Sequence, residues 1–289
     1  MFAPSAEQLA AFDRAPSQRP AVLFYQFSLK PEASNGEWRA QLAEVARGYS
    51  GRLIWAGDQE QAFVGAAGGH HHFCQFHFRT RRDARAFVQS VEHAQAAQKL
   101  SALQVAVLSA QPRRIVLISN LLAKLLPWIP FDNAVEPGEE PGVGTSGIMP
   151  TAAAITELKA HPQQNTPVVM INWLKFRREA AYATPTQPVS GRTAYLRYGK
   201  VALLATHSLK AKLLYAARYQ QMLIGNAGDP ATDLWDEFAL MQYPGRATFT
   251  LMASLKRYRR ALHHREAGLT EKGQGLTISR PHAEFVWRA

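Results

Sequence analysis

Apolar residues along this chain come in short runs separated by longer polar or helix-period stretches, and the runs recur twice in the same order. The first set opens with PAVLFYQF (residues 20–27), continues with GRLIWAGDQEQAFVG (51–65) and FCQFHF (73–78), and closes at 103–108. The second opens with PVVMINWL (167–174), continues with AKLLYAARYQQMLIG (211–225) and WDEFAL (235–240), and closes at 284–287. Runs this short, rich in β-branched and aromatic residues, predict strands. Helices are predicted between the first and second runs of each set, and again after the third, entered through residues 85–87 and 247–249.

The middle runs align without a gap at an offset of 160: Leu53 with Leu213, Ala56 with Ala216, Gln61 with Gln221, Gly65 with Gly225, and aromatic Trp55 with aromatic Tyr215. The order strand, helix, strand, strand, helix, strand is the split βαβ, ferredoxin-like pattern. The expected fold class is therefore α+β. Two tandem ferredoxin-like βαββαβ domains, at 18–112 and 167–289, would face each other as a pseudo-dimeric α/β barrel inside one chain. The cleft between them is then the natural ligand site.

Residues 113–166 do not fit the repeat. Their opening, RRIVLISNLLAKLLPWIPF, is interrupted by Asn120, Lys124 and Pro127, short of the ~20 apolar residues of a membrane span. A linker helix packed on both domains is the favoured expectation. A peripheral membrane contact through 115–131, with Trp128 at the boundary, is the alternative. The Gly/Pro-rich stretch 133–150 reads as a loop, and 151–160 as a helix capped by Thr151.

Composition narrows the functional classes. Of 289 residues, 47% are hydrophobic, enough for packed cores, and the single cysteine, Cys74, excludes an intrachain disulfide. A reducing, cytoplasmic setting is expected, and the N-terminus does not read as a secretion signal. The net charge of +11 is spread over the chain. It interleaves no aromatics in a nucleic-acid motif, so a solvated basic surface is expected and nucleic acid is not. No phosphate loop, dinucleotide fingerprint, zinc cysteine cluster or serine elbow is present, and no cofactor is expected.

The second set carries a more specific pattern. INWLKF (171–176), TAYLRYGKVALLA (193–205), WDEFALMQYPGRATFTLM (235–252) and YRRALHHREAGL (258–269) together resemble an uncharacterised bacterial family of the dimeric α/β-barrel superfamily. Trp173 stands where that family usually has Leu, and Gly245 where it has Ser. The first set resembles the family only as a degenerate relative, with Phe73-Cys74 in place of its Trp-Asp pair. The resemblance implies two ferredoxin-like sheets enclosing a barrel. The superfamily spans cofactor-free monooxygenases, isomerases, cyclases and haem enzymes, so the fold does not select a reaction.

Strand alternation supplies candidate residues. If Phe238 and Leu240 face the helices, Glu237 faces the barrel, where burial would raise its pKa and suit it as a general base. The structural alternative pairs it with Arg218. The same parity puts Phe76 and Phe78 in the helix-side core and Gln75 and His77 in the barrel. Glu237 and His77 are thus the catalytic candidates. Asn172, Tyr215, Arg218, Asp58, Gln75, Trp235 and His264 are the ligand-binding candidates. Asp58 and Arg218 occupy equivalent positions with opposite charge, which suggests a contact between the halves. His70 and His72 share a strand face about 6.5 Å apart but lack a third ligand nearby, so no metal is expected. The expected ligand is a small, largely apolar or aromatic metabolite, acidic if the charge is a guide. The expected assembly is a monomer with an internal pseudo-dimer, or a homodimer.

Overall fold

The computed structural model describes residues 2–65, 69–110, 116–121, 147–184, 188–225 and 235–286. Its centre is a closed, antiparallel barrel of eight strands in the order β1-β3-β2-β8-β5-β7-β6-β4, with β4 returning to β1. The strands are β1 (Ala21–Leu29), β2 (Gly51–Val64), β3 (His72–Phe78), β4 (Leu100–Ala110), β5 (Val168–Phe176), β6 (Lys212–Ile224), β7 (Glu237–Tyr243) and β8 (Leu269–Pro281). The helices lie outside: α1 (Ala6–Asp13), α2 (Asn35–Gly48), α3 (Arg81–Val88), α4 (Val91–Ala97), α5 (Ala152–Ala160), α6 (Gly191–Ser208), α7 (Arg246–Ser254) and α8 (Lys256–Gly268).

Each set of four strands takes the same internal order, β4-β1-β3-β2 and β8-β5-β7-β6, and two seams, β2·β8 and β4·β6, join the sets. Because β1 and β5 are buried on both faces, each reads as a nearly continuous apolar run. In β1, Val22 and Phe24 enter the barrel, while Leu23, Tyr25 and Phe27 pack on the helices. The outer layers form two helix-facing cores, one built on Trp38, Phe76 and Phe87, the other on Tyr198, Met252 and Tyr258.

Local geometry repeats with the sequence offset. Ser50 and Lys210, just ahead of β2 and β6, both adopt positive φ, 55° and 64°. Gly65 and Gly225, just after these strands, do so too. The register slips between Leu53 and Trp55 in β2 and between Leu213 and Tyr215 in β6. Ser5 and Thr151 cap α1 and α5, as the Thr151 expectation required. Each helix is then held by an equivalent glutamine: Gln221 Nε2 donates to the Gln8 carbonyl at 2.8 Å, and Gln61 Nε2 to the Ala154 carbonyl at 2.8 Å.

Two buried arginines cross between the sets in matching fashion. Arg81, the first residue of α3, donates to Gln220 on β6 and to the Phe12 carbonyl, both at 2.7 Å. Arg246, the first residue of α7, pairs with Glu60 on β2 and donates to the Gln163 carbonyl at 2.7 Å. Gly245, placed where the resembled family has Ser, sits so close to this turn that a Cβ would lie 2.3 Å from the Gln164 carbonyl oxygen.

Two expectations need correcting. The last strand is Leu269–Pro281, not 284–287; Ala283–Phe285 form a 3-10 turn. Its sequence, LTEKGQGLTISRP, has glycines and charges where a strand signal was sought. The helix expected from Gly245 onward is two helices, broken at Leu255, whose ψ is 128°. Most of the stretch 115–131 considered for membrane contact lies outside the described residues. Its described part, 116–121, is helical and docked: Asn120 Nδ2 donates to the Leu213 carbonyl (2.9 Å), and Ser119 meets His207 at 2.6 Å. Among the described residues no helix is long and apolar enough to cross a membrane.

Candidate functional site

The barrel interior differs between its two ends. One end is filled by rings. Trp173 packs on Phe238 (4.5 Å between centroids), Phe24 (5.6 Å), Trp235 (6.1 Å) and Tyr219 (6.2 Å), and Phe24 stacks on Phe73 (6.1 Å). Such pairs each add about 0.5–1.5 kcal/mol beyond area burial. Trp173, the departure from the resembled family, is the hub of this plug.

The other end, where β2 and β6 begin and β3 and β7 finish, opens into a cavity of about 930 Å³. Its inner wall pairs equivalent positions of the two sets: Ile54 with Leu214, Trp55 with Tyr215, Gln75 with Leu240. Arg52, His77, the segment 116–121 and the C-terminal residues Glu284 and Phe285 form its rim.

Among the described residues, four buried polar atoms in this wall make no hydrogen bond of normal geometry: Trp55 Nε1, the Tyr215 hydroxyl, and both Oε1 and Nε2 of Gln75, although the Tyr215 hydroxyl and the Gln75 amide are close enough to interact. Gln75 is 0% and Trp55 3% exposed. Burial raises the Tyr215 phenol well above its usual pKa, and the nearby Gln75 amide only partly opposes this. Tyr215 therefore stays a neutral phenol across the physiological range. Leaving a buried donor or acceptor unpaired costs about 1–3 kcal/mol. The four atoms on this wall belong to three residues that all line the cavity.

Three candidates from the sequence converge here: Gln75, His77 and Tyr215. The others lie elsewhere. Glu237 points out of the barrel, where Arg192 at the start of α6 binds it at 2.7 Å; its neighbours Phe238 and Leu240 are the inward residues. The parity assumed for the second set is thus reversed. Its third strand had been aligned to begin at Trp235, whereas the pairing Trp55↔Gln75 and Tyr215↔Leu240 matches His72–Phe78 to Glu237–Tyr243. The three-residue slip is odd, and an odd slip exchanges the faces of a strand.

Asn172 also faces outward and is used by the backbone, donating to the Met170 carbonyl at 3.0 Å. Trp235 belongs to the aromatic plug. His264 lies on α8, bonded to the Tyr182 hydroxyl at 2.8 Å. Its pKa is lowered by burial first, then by His263 and Arg197. Arg218 is exposed and sits across from Glu237 in the β6·β7 ladder, but the carboxylate's ion pair is with Arg192.

Asp58 and Arg218 do not meet, because β2 and β6 stand on opposite sides of the barrel. Asp58 instead accepts from Asn35 (2.9 Å), His72 (2.7 Å) and His282 (3.3 Å), and against the opposing effect of burial these bonds hold its carboxyl well below the usual range. His282 also contacts Arg39, which binds Glu284 at 3.1 Å, so this cluster moors the C-terminal rim of the cavity. Among the described residues, no three His, Cys, Asp or Glu are grouped to hold a metal. Cys74 is sealed in the helix-side core, and burial pushes its thiol up.

Sequence reasoning passed over Trp55, Leu240 and Arg52. Trp55 had been recorded only as the partner of Tyr215 in the repeat, and that match was the signal available.

Comparisons with known proteins return low-scoring matches to solved structures. No family model and no curated protein matches the chain. Among solved structures, a protein of unknown function from Rhodopseudomonas palustris is 27% identical over 45% of this chain and 93% of its own, with a TM-score of 0.40. A chlorite dismutase from Candidatus Nitrospira defluvii is 13% identical over 97% of this chain and 98% of its own, with a TM-score of 0.43.

Proposed function

We propose that the chain is a fused pair of ferredoxin-like units that binds a small, largely apolar or aromatic metabolite at the open end of its barrel. The repeated strand order, the positive φ at Ser50 and Lys210, and the exchanged arginines support the duplication. Since α1 and α5 occupy matching places, the second unit begins ahead of α5, inside the stretch first read as linker.

The observation that carries the binding reading is the set of orphaned polar atoms on Trp55, Gln75 and Tyr215 in an otherwise apolar wall. Ligand sites of this kind are apolar cavities of about 300–1,000 Å³ with a few convergent polar groups. If chemistry occurs, His77 is the group at the cavity placed to move a proton, with Tyr215 as a neutral donor. The reaction class is then a cofactor-independent isomerisation, cyclisation or oxygenation. The outward position of Glu237 favours a second reading, a carrier without turnover.

Thermal denaturation with a panel of indoles, naphthalenes and quinolones tests this. A ligand present at 100 times its Kd adds about 2.7 kcal/mol to stability. Melting temperature is expected to rise for the native chain and not for Leu240→Trp, which fills the cavity. If no compound separates the two proteins, the binding reading fails. Conversion of a bound compound, lost in His77→Ala while binding persists, separates enzyme from carrier.

A further inference from the structure

The chemistry of the cavity wall narrows the class of ligand, an inference that rests on the binding reading above. The three residues offer unlike groups. Trp55 Nε1 is a donor only. The Gln75 amide carries a donor and an acceptor side by side, and neither makes a hydrogen bond of normal geometry, with the Tyr215 hydroxyl its polar neighbour. The Tyr215 hydroxyl serves either way but is held protonated by burial. None carries a charge. The charged groups at the cavity, Arg52 and Glu284, are on its rim, and Glu284 is already bound to Arg39 at 3.1 Å.

A carboxylate or ammonium carried to this wall would lose its hydration without meeting a counter-charge, which is strongly unfavourable. The Gln75 carbonyl would moreover repel an anion. A neutral group with an acceptor and a donor on adjacent atoms satisfies both ends of Gln75 in one plane. Trp55 Nε1 supplies a further donor to its acceptor. The flanking Ile54, Leu214 and Leu240 suit a flat apolar body.

We infer that the wall formed by Gln75, Trp55 and Tyr215 recognises an uncharged amide-like edge, as in a carboxamide, lactam or pyridone, on an aromatic ligand whose charge, if any, stays at the mouth by Arg52. The polar atoms are closed to solvent as they stand, while the Tyr215 ring is partly exposed. For a ligand to reach the amide, the neighbouring Tyr215 side chain must turn aside. Gln75 is the specificity-determining residue, since its equivalent in the second unit is Leu240.

The test compares three probes of one shape, 2-naphthamide, 2-naphthoate and 2-methylnaphthalene, by equilibrium dialysis at pH 7 against the full chain and Gln75→Leu. The variant places in the first unit the residue already accommodated in the second, and its melting curve checks folding. The amide is expected to bind at least about tenfold tighter than the hydrocarbon, the gain of one or two net hydrogen bonds, with the carboxylate weakest. Gln75→Leu is expected to erase the amide's advantage and leave hydrocarbon binding intact. An amide no tighter than the hydrocarbon, a carboxylate tightest of the three, or an advantage that survives in Gln75→Leu overturns the inference while leaving the cavity reading standing. If none of the three saturates the native chain, the cavity reading itself falls.

Discussion

The two halves of this barrel agree where they hold each other and differ where they face the cavity. At the seams, Gln61 and Gln221 clasp equivalent helices, and Arg81 and Arg246 reach equivalent strand positions. On the cavity wall, Trp55 and Gln75 stand opposite Tyr215 and Leu240. Joining two units in one chain frees the cavity from symmetry, because a homodimer must place the same residue on both walls. Packing between the halves constrains the seams, whereas the cavity wall is free of that constraint.

The largest break in the symmetry of the seams is electrostatic. Arg246 is 2% exposed at its side chain and pairs with a carboxylate, Glu60, whereas Arg81 meets the neutral Gln220. Glu60→Ala leaves a buried guanidinium without its anion, close to Arg280, and is expected to cost about 3–5 kcal/mol. Gln220→Ala is expected to cost about 1 kcal/mol. Urea denaturation of the two variants measures the difference, and equal losses would show that the seams are energetically alike.

Acid should act on the first half through a buried histidine of α4. At the third position of α4 lies His93, 2% exposed and bonded to the Tyr25 hydroxyl at 3.0 Å. The third position of α8 holds Tyr258, bonded to Tyr198 at 2.9 Å. Burial lowers the His93 ring from 6.5 to about 4. The unfolded chain therefore takes up the proton first, and stability falls as pH drops from 6.5 to about 4. The loss is about 3 kcal/mol and levels off below that range. His93→Phe is expected to flatten this part of the stability–pH curve; an unchanged curve would place the acid sensitivity elsewhere.

Smaller effects sharpen the contrast between the barrel's ends. Trp173→Leu, which restores the residue usual in the resembled family, is expected to cost about 2 kcal/mol by hollowing the plug. At the open end the sign reverses. Gln75→Leu removes two unsatisfied buried atoms and is expected to stabilise the chain by about 1–2 kcal/mol. Calorimetric melting of both variants reads the signs, and destabilisation by Gln75→Leu would mean that the amide already has a structural role.

The alignment at an offset of 160 made β2 and β6 legible as equivalents, and the two strands prove to share a register slip. It made Trp55 the equivalent of Tyr215. Gln75 and His77 followed from alternation in β3, where aromatic Phe76 and Phe78 mark one face. In β7 both faces are apolar, Phe238 and Leu240 inward and Met241 and Tyr243 outward, so alternation could not fix the face and Glu237 was placed on the wrong side. β8 escaped notice because its pairing with β2 and β5, not its composition, makes it a strand. Arg81 and Arg246 are part of the dispersed positive charge that reads as solvated surface. Their burial depends on strands of the opposite unit, which no local pattern reveals.

Because both seams close within a single chain, the barrel's integrity is a first-order property. The two units remain at a high effective concentration however dilute the protein becomes, so closure of this barrel, and with it the shape of the cavity, should be indifferent to expression level. With β2 paired to β8 and β4 to β6, the barrel also leaves no strand edge open to a neighbouring molecule, which removes a common route to aggregation.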